Sequence, residues 1–415
     1  MKKLICSFLS CFSLSATYYR TETMHGMYGT YPMGRDATGT SWIPSSTLMP
    51  EINVMADQWM LMFYGYLNAI YDNQGGPRGK DKFFSENMFM LTAQKDYRNS
   101  IFALRSMVSL EPKTIGCNGY PLLLQTGETC DGKTPLIDRQ HPHDFLMELA
   151  AVYTVRFTRE NSIFAYVGYP GEPALGPPTY IHGFSAIFNP EAPITHHWLD
   201  STHVTFGVAT LGFVHEWLKI DASIFTGREP NQNRWNFDPI KLDSYSGRIS
   251  FNPTNNVAAQ VSYGYIKSPE ALEPDVNIHR TTASLSYNLA WGKTSNWQIT
   301  ACWGRNRNQP GRSLNGYLVE SAMEFYNSHV LFGRWEYVAK EGLFAPPSPK
   351  ASTVYKVRKI DFGYLYEFPL IPYTLWGLGV VGSASIVPGS IKSSYGGKPY
   401  SYMVFLRVEL KEPKR

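Results

Sequence analysis

Cysteine, charge and long apolar runs are all scarce in this chain of 415 residues. Five cysteines are too few for a disulfide-built scaffold. Charged residues make up 17%, against about 25% in ordinary soluble domains, which excludes a disordered polyelectrolyte and a coiled coil. The formal net charge of +4 provides no basic stripe, so no nucleic-acid partner is expected. No apolar run reaches the roughly 18 residues that a membrane-crossing helix needs. What the chain does have is aromatic side chains: 27 Tyr, 23 Phe and 10 Trp. A large soluble β protein or a transmembrane barrel remains.

Lys2 and Lys3 precede a short apolar run from Leu4 to Leu9, with small residues at Ser13, Ser15 and Ala16. This is the pattern of an export signal, and residues 1–16 are read as a signal peptide. Ser10-Cys11 fits a lipid-attachment site poorly. In the exported chain Cys117 and Cys130 share one polar loop, where a bridge and two free thiols both stay open. Residues 17–53 are rich in Gly, Met and Pro and show little alternation. They are expected in the periplasm or tucked into the mouth of a barrel, and are too few for a TonB-dependent plug domain.

From 54 to 415 one theme repeats: about ten residues alternating in polarity, then a break. Leu218, Ile220, Ala222 and Ile224 face one way, while Lys219, Asp221 and Ser223 face the other. Tyr245, Ile249 and Phe251 alternate with Ser246, Arg248 and Ser250 in the same manner. Sixteen such segments begin near 54, 83, 99, 145, 162, 203, 217, 242, 257, 280, 296, 317, 329, 356, 373 and 399. Every second break is short, as at 95–98, 158–161, 215–216, 253–256, 292–296, 327–328 and 369–372. The others are long, at about 73–82, 111–144, 170–202, 227–241, 268–279, 306–316, 340–355 and 387–398. An even strand number with short and long connections taking turns is the signature of an outer-membrane barrel. Lipid cannot satisfy a sheet edge, so only a closed sheet crosses it. The fold expected is all-β, a transmembrane antiparallel up-and-down β-barrel of about 16 strands with long external loops.

The stripe opposite the apolar one carries Arg105, Lys219, Arg248, Arg334, Lys359 and Arg407. It also carries Asp221, Glu320, Glu324, Glu336, Asp361 and Glu409. This balanced wall is expected to pair charges across strands around a lumen with room for an aqueous channel. Whether the channel is open rests with the loops and the early segment.

Six of the ten histidines fall in or beside the second and third long loops: His141, His143, His182, His196, His197 and His203. Carboxylates accompany them, notably Asp144 and Asp200. Imidazole with carboxylate suits Zn²⁺ or Cu²⁺, and two loops on one side of a barrel bring such groups together. The bland alternative has the histidines bonded to loop backbone, pinning the loops across the mouth. Met24, His25 and Met27 form a second cluster, whose thioethers select Cu(I) unless they simply pack as a flexible apolar segment. No Gly-x-Ser-x-Gly elbow, phosphate loop or His-Glu-x-x-His occurs, and no enzymatic activity is expected. The polar loop from Gly227 to Trp235 sets Glu229 between Arg228 and Arg234. It is expected to dock inward rather than to meet lipopolysaccharide phosphates.

Met24 to Gly29, Pro121 to Thr129, Leu136 to Asp144, Gly171 to Pro178 and His196 to His203 together resemble a family of uncharacterised bacterial outer-membrane β-barrel proteins. Its members are often encoded beside copper-resistance or multicopper-oxidase genes. The resemblance runs from about residue 24 onward. It implies a metal-linked role in the outer membrane of a Gram-negative bacterium, and no catalytic residues.

The sequence thus points to a barrel that binds or passes a small solute, with copper or a metal chelate as the leading candidate. The rival is a general porin whose His-rich loops are structural. Expected partners are outer-membrane lipid and lipopolysaccharide, the solute or metal ion itself, further copies in a homo-oligomer, and a periplasmic metal-handling protein.

Overall fold

The computed structural model describes residues 25–292 and 294–412. Residues 1–16, expected to be a signal peptide, and Met24 lie outside the described residues. Sixteen long strands form the wall. The first four are Trp59–Asn73 (β1), Asp81–Asp96 (β2), Ser100–Val108 (β3) and Leu146–Arg156 (β4). Asn161–Gly168 (β5), Val208–His215 (β6), Leu218–Phe225 (β7) and Ser244–Thr254 (β8) follow. The third quarter is Val257–Ile266 (β9), Asn277–Trp291 (β10), Ser295–Gln309 (β11) and Ser313–Phe325 (β12). His329–Lys340 (β13), Tyr355–Pro369 (β14), Thr374–Ile386 (β15) and Tyr400–Leu410 (β16) complete it.

Every strand pairs antiparallel with its neighbours in sequence, and β16 returns to β1, from Tyr402 opposite Asn73 to Glu409 opposite Tyr66. The sheet is closed. Below Tyr66, the same edge of β1 is taken by the short strand Ile52–Ala56, with Ile52 opposite Phe63. All seven short turns stand where the alternation placed them, at 97–99, 157–160, 216–217, 255–256, 292–294, 326–328 and 370–373. One long connection does not. The expected loop 306–316 is a three-residue turn at 310–312, because β11 and β12 continue through it.

Polarity is inverted relative to a soluble fold. On β7, Ile220 and Ile224 are 48% and 50% exposed, while Asp221 and Ser223 between them are 1% and 3% exposed. Apolar side chains facing outward around a closed sheet are what lipid requires. Exposed aromatics mark the short-turn end: Tyr97, Phe157, Trp217, Trp291, Tyr326 and Tyr373. Phe83, Tyr245, Tyr263 and Tyr400 mark the other end. Such amphipathic rings favour the two membrane–water interfaces. No helix among the described residues is long and apolar enough to cross a membrane.

The lumen is filled by the chain itself. Residues 25–53 enter from the short-turn end: Thr154 donates to the Met27 carbonyl (2.7 Å), Arg35 to that of Glu216 (2.6 Å), and Asn252 to that of Ile43 (2.8 Å). The connection after β5 folds back inside, and almost all of residues 170–202 are buried. Pro170, Pro173, Pro177 and Pro178 lack backbone donors, which reduces the number a buried irregular segment must satisfy. Wall side chains meet the rest. Ser223 accepts from Ala174 N (2.8 Å), Ser262 from Gly176 N (2.9 Å) and Glu336 from Thr195 N (2.9 Å). The polar wall is therefore a set of sockets for inserted backbone rather than the lining of an open aqueous pore.

The expected loop 111–144 is also structured. A helical turn at Glu111–Thr114 leads into a hairpin of Tyr120–Thr129 and Pro135–Gln140. Cys117 and Cys130 are disulfide-bonded, with Cα atoms 5.0 Å apart.

Candidate functional site

The inward charges pair as neighbouring registers dictate. Arg248 lies opposite Asp221 and meets it at 2.9 Å, and Arg334 lies opposite Glu320 at 3.0 Å. Lys359 pairs with Glu191 of the inserted loop, and Lys219 donates to the carbonyl of Thr40. All twelve side chains assigned to the inner stripe are buried. Their charges are spent on one another and on the inserted segments.

Above this level the two long loops bring five histidines together. Ring centroids stand 5.2 Å apart for His143 and His203, 5.1 Å for His196 and His203, and 5.5 Å for His196 and His197. His141 joins the group 6.4 Å from His197. Four members brace the loops through Nδ1. His143 Nδ1 lies 2.8 Å from Glu111 and His196 Nδ1 2.9 Å from Asp200, while His203 Nδ1 lies 2.8 Å from the Asp200 carbonyl and His141 Nδ1 3.2 Å from that of Pro142. Asp200 also accepts from Tyr180 N at 3.2 Å. The Nε2 atoms of His141, His197 and His203 are buried and have no hydrogen-bond partner. A buried polar atom left unpaired is costly, and an unpaired imidazole nitrogen is able to ligate a metal ion.

Burial holds His203 down at about 3, with His196 and His143 adding to it. Burial likewise keeps His141 and His197 well below the ordinary histidine range, helped by Arg234 near the first and His196 near the second. For His143 burial opposes the charge, but the Glu111 carboxylate outweighs it and the pKa rises. Asp200 is lowered because His196 overcomes the effect of burial. His141, His197 and His203 are thus held as neutral imidazoles, the state a metal ligand needs.

Beside them is a cavity of about 190 Å³ bordered by His197, Glu128, Glu229, Glu270, Arg280 and Lys340. Its rim also carries Glu273 and Glu341. Among the described residues, one donor from each of His197, Glu229 and Glu270 lies within 4.8 Å of the others. Burial and the carboxylates of Glu270 and Glu128 push Glu229 well above its usual range. Burial, then Glu128, pushes Glu270 up to about 7. Carboxylates crowded without enough positive partners favour a bound cation. The sequence pattern nominated His197 but missed Glu229 and Glu270, which come from separate loops with no donor spacing. The nearest signal was the inward docking of the Gly227–Trp235 loop. That docking is observed: Arg234 pairs with Glu128 and Asp144, each at 3.1 Å.

The remaining nominated residues stand elsewhere. Asp144 is engaged with Arg234, and burial raises it to about 6. His182 packs against Tyr64 with ring centroids 4.8 Å apart, away from the five-histidine group. His25 is exposed, and Gln94 donates to its carbonyl. Met27 is buried in the lumen, and its backbone N donates to Asp36 at 2.7 Å.

No family model and no curated protein matches the chain. Solved structures do. An anion-selective porin from Comamonas acidovorans is similar at a TM-score of 0.50 and 8% identity, over 85% of this chain and 100% of that one. OmpF of Salmonella typhi, in complex with daunomycin, is similar at 0.52 and 10%, over 86% and 100%. OprB of Pseudomonas putida is similar at 0.51 and 8%, over 84% and 94%. The chain shares their outer-membrane barrel fold.

Proposed function

We propose that the chain is an outer-membrane barrel of a Gram-negative bacterium that takes up a small cationic solute, copper or a metal chelate, from the long-loop side. The short turns then face the periplasm, and the filled lumen is a closed state whose opening releases the solute inward. The reading rests on one observation: His197, Glu229 and Glu270 converge within 4.8 Å at a carboxylate-rich cavity. A nitrogen and two oxygen donors suit Cu²⁺ or Zn²⁺. His141 and His203, with unpartnered Nε2 atoms, stand behind them as further ligands on the way in.

Calorimetric titration of the detergent-purified protein with Cu²⁺ tests this, using His197→Ala and Glu270→Gln. Loss of an outer-shell partner alone weakens metal affinity roughly 10–100-fold, so loss of a ligand should cost at least that. Unchanged Cu²⁺ affinity in both variants removes the site. The rival, a solute channel in which the histidines are only struts, draws support from the His143–Glu111 and His196–Asp200 hydrogen bonds. It requires a planar-bilayer conductance indifferent to Cu²⁺.

A further inference from the structure

Barrel interiors are ordinarily polar, yet one arc of this lumen is lined with methionine. Met60 and Met62 on β1, Met88 and Met90 on β2, Met107 on β3 and Met403 on β16 are all inward and buried. They occupy four contiguous strands, whereas the ion pairs Arg248–Asp221 and Arg334–Glu320 lie on β7, β8, β12 and β13. Against the methionine arc the inserted N-terminal segment lays Met27 and Met49.

Where the two meet is a cavity of about 20 Å³, bordered by Met27, Met49, Met62, Met90 and His182. That is room for one water-sized guest. His182 is 4% exposed and its Nε2 has no hydrogen-bond partner. Four methionines and His182, whose Nε2 is unpartnered, therefore border a single small space. The nearby charges do not forbid a cation. Arg105 borders the cavity and donates to Met90 Sδ at 3.8 Å, a weak bond that a cation on that sulfur would displace, and Glu148 matches its charge at 3.2 Å. Asp36 and Glu51 add two carboxylates to the border. Thioethers are soft donors that bind poorly to Zn²⁺ or Ca²⁺ and well to Cu(I) and its analogue Ag(I).

We propose that this cavity is a second, separate binding site, selective for a soft monovalent cation, with Met27, Met62, Met90 and His182 as its ligands. It does not depend on the site at His197, which has hard and borderline donors. Met49 closes it from the N-terminal segment, so the guest bridges that segment to the wall and holds it in place.

The test is titration of the purified full chain with AgNO₃, read by calorimetry and by X-ray absorption at the silver edge. It is done in a Cys302→Ser background with other free thiols alkylated, so that thiolates do not contribute. The wild-type arrangement should take up one Ag⁺ with sulfur and nitrogen neighbours. Met62→Leu with Met90→Leu nearly conserves volume and should weaken Ag⁺ at least tenfold while leaving Cu²⁺ at His197 unchanged. His197→Ala should do the reverse. Ag⁺ affinity unmoved by the methionine pair overturns the proposal, as does a silver edge without sulfur neighbours. Should the double variant misfold, Met49→Leu and His182→Phe are read singly in the same way, and unchanged affinity in both also overturns it.

Discussion

Arg105 on β3 lies 3.2 Å from Glu148 on β4, and the same guanidinium holds the carbonyls of Gly39 (2.7 Å) and Ala37 (3.0 Å). One side chain thus ties the barrel wall to the segment that fills it. Arg105→Ala leaves the Glu148 carboxylate buried without its partner, a change that costs about 3–5 kcal/mol in comparable buried pairs. The expected outcome is release of the N-terminal segment before the wall is harmed. Protease cleavage within residues 25–53, together with a new conductance in planar bilayers, checks it; a variant as resistant and silent as the parent refutes the tie.

The loop inserted after β5 makes its tightest approach at Gly176, whose φ is +93° and where a Cβ would stand 2.1 Å from the Leu199 carbonyl oxygen. Left-handed backbone costs an L-residue roughly 1–2 kcal/mol, and the collision adds to that. Gly176→Ala should prevent the loop from seating, exposing residues 170–204 to protease and opening the lumen to ions. Gly389→Ala, with nothing within 4 Å of the added carbon, is the matched control and should change neither readout.

Acid should loosen the histidine loops. A His203 held at about 3 in the fold and near 6.5 when released binds more protons released than folded between those values. Its contribution to stability is therefore complete above pH 6.5 and is lost as pH falls toward 3. His141 and His197, lowered in the same direction, act with it. Glu270, raised to about 7, acts oppositely, favouring the fold as it takes up a proton below that value. Glu229, Asp144 and His143, raised as well, act with Glu270 on the neighbouring loops. Within residues 170–204, however, the lowered groups His182, His197, His203 and Asp200 outnumber the raised Glu172. This predicts faster proteolysis of that loop at pH 4.5 than at pH 7.5. His203→Asn should reduce the difference, and an unchanged ratio would count against the assignment.

The strand pattern was legible because alternation on a lipid-facing sheet is enforced at every second residue, as Lys219 and Ile220 show. It passed over the hairpin within 111–144 and misled at 306–316. Arg305, Asn306, Arg307 and Asn308 read as a polar loop, yet Asn306 is inward, 2.8 Å from the His197 carbonyl, and Arg305 is exposed. Strands that outrun the apolar band keep their pairing while losing their apolar face. The histidine group was legible because its members crowd two same-side loops. Glu229 and Glu270 were not, since only the folded docking of two further loops brings them to His197. The methionine arc is written in the alternation of Met60, Met62, Met88 and Met90, but apolar neighbours such as Leu61, Phe63, Phe89 and Leu91 leave no polarity contrast to tell the inner face from the outer.

The short strand Ile52–Ala56 shares the seam edge of β1 with β16, so the N-terminal segment is rooted in the wall that it blocks. A cork on such a leash never diffuses away when it is pulled: recapture is intramolecular, at an effective concentration in the millimolar range for short tethers. Opening by this route would come as brief, self-resealing events rather than a lasting leak.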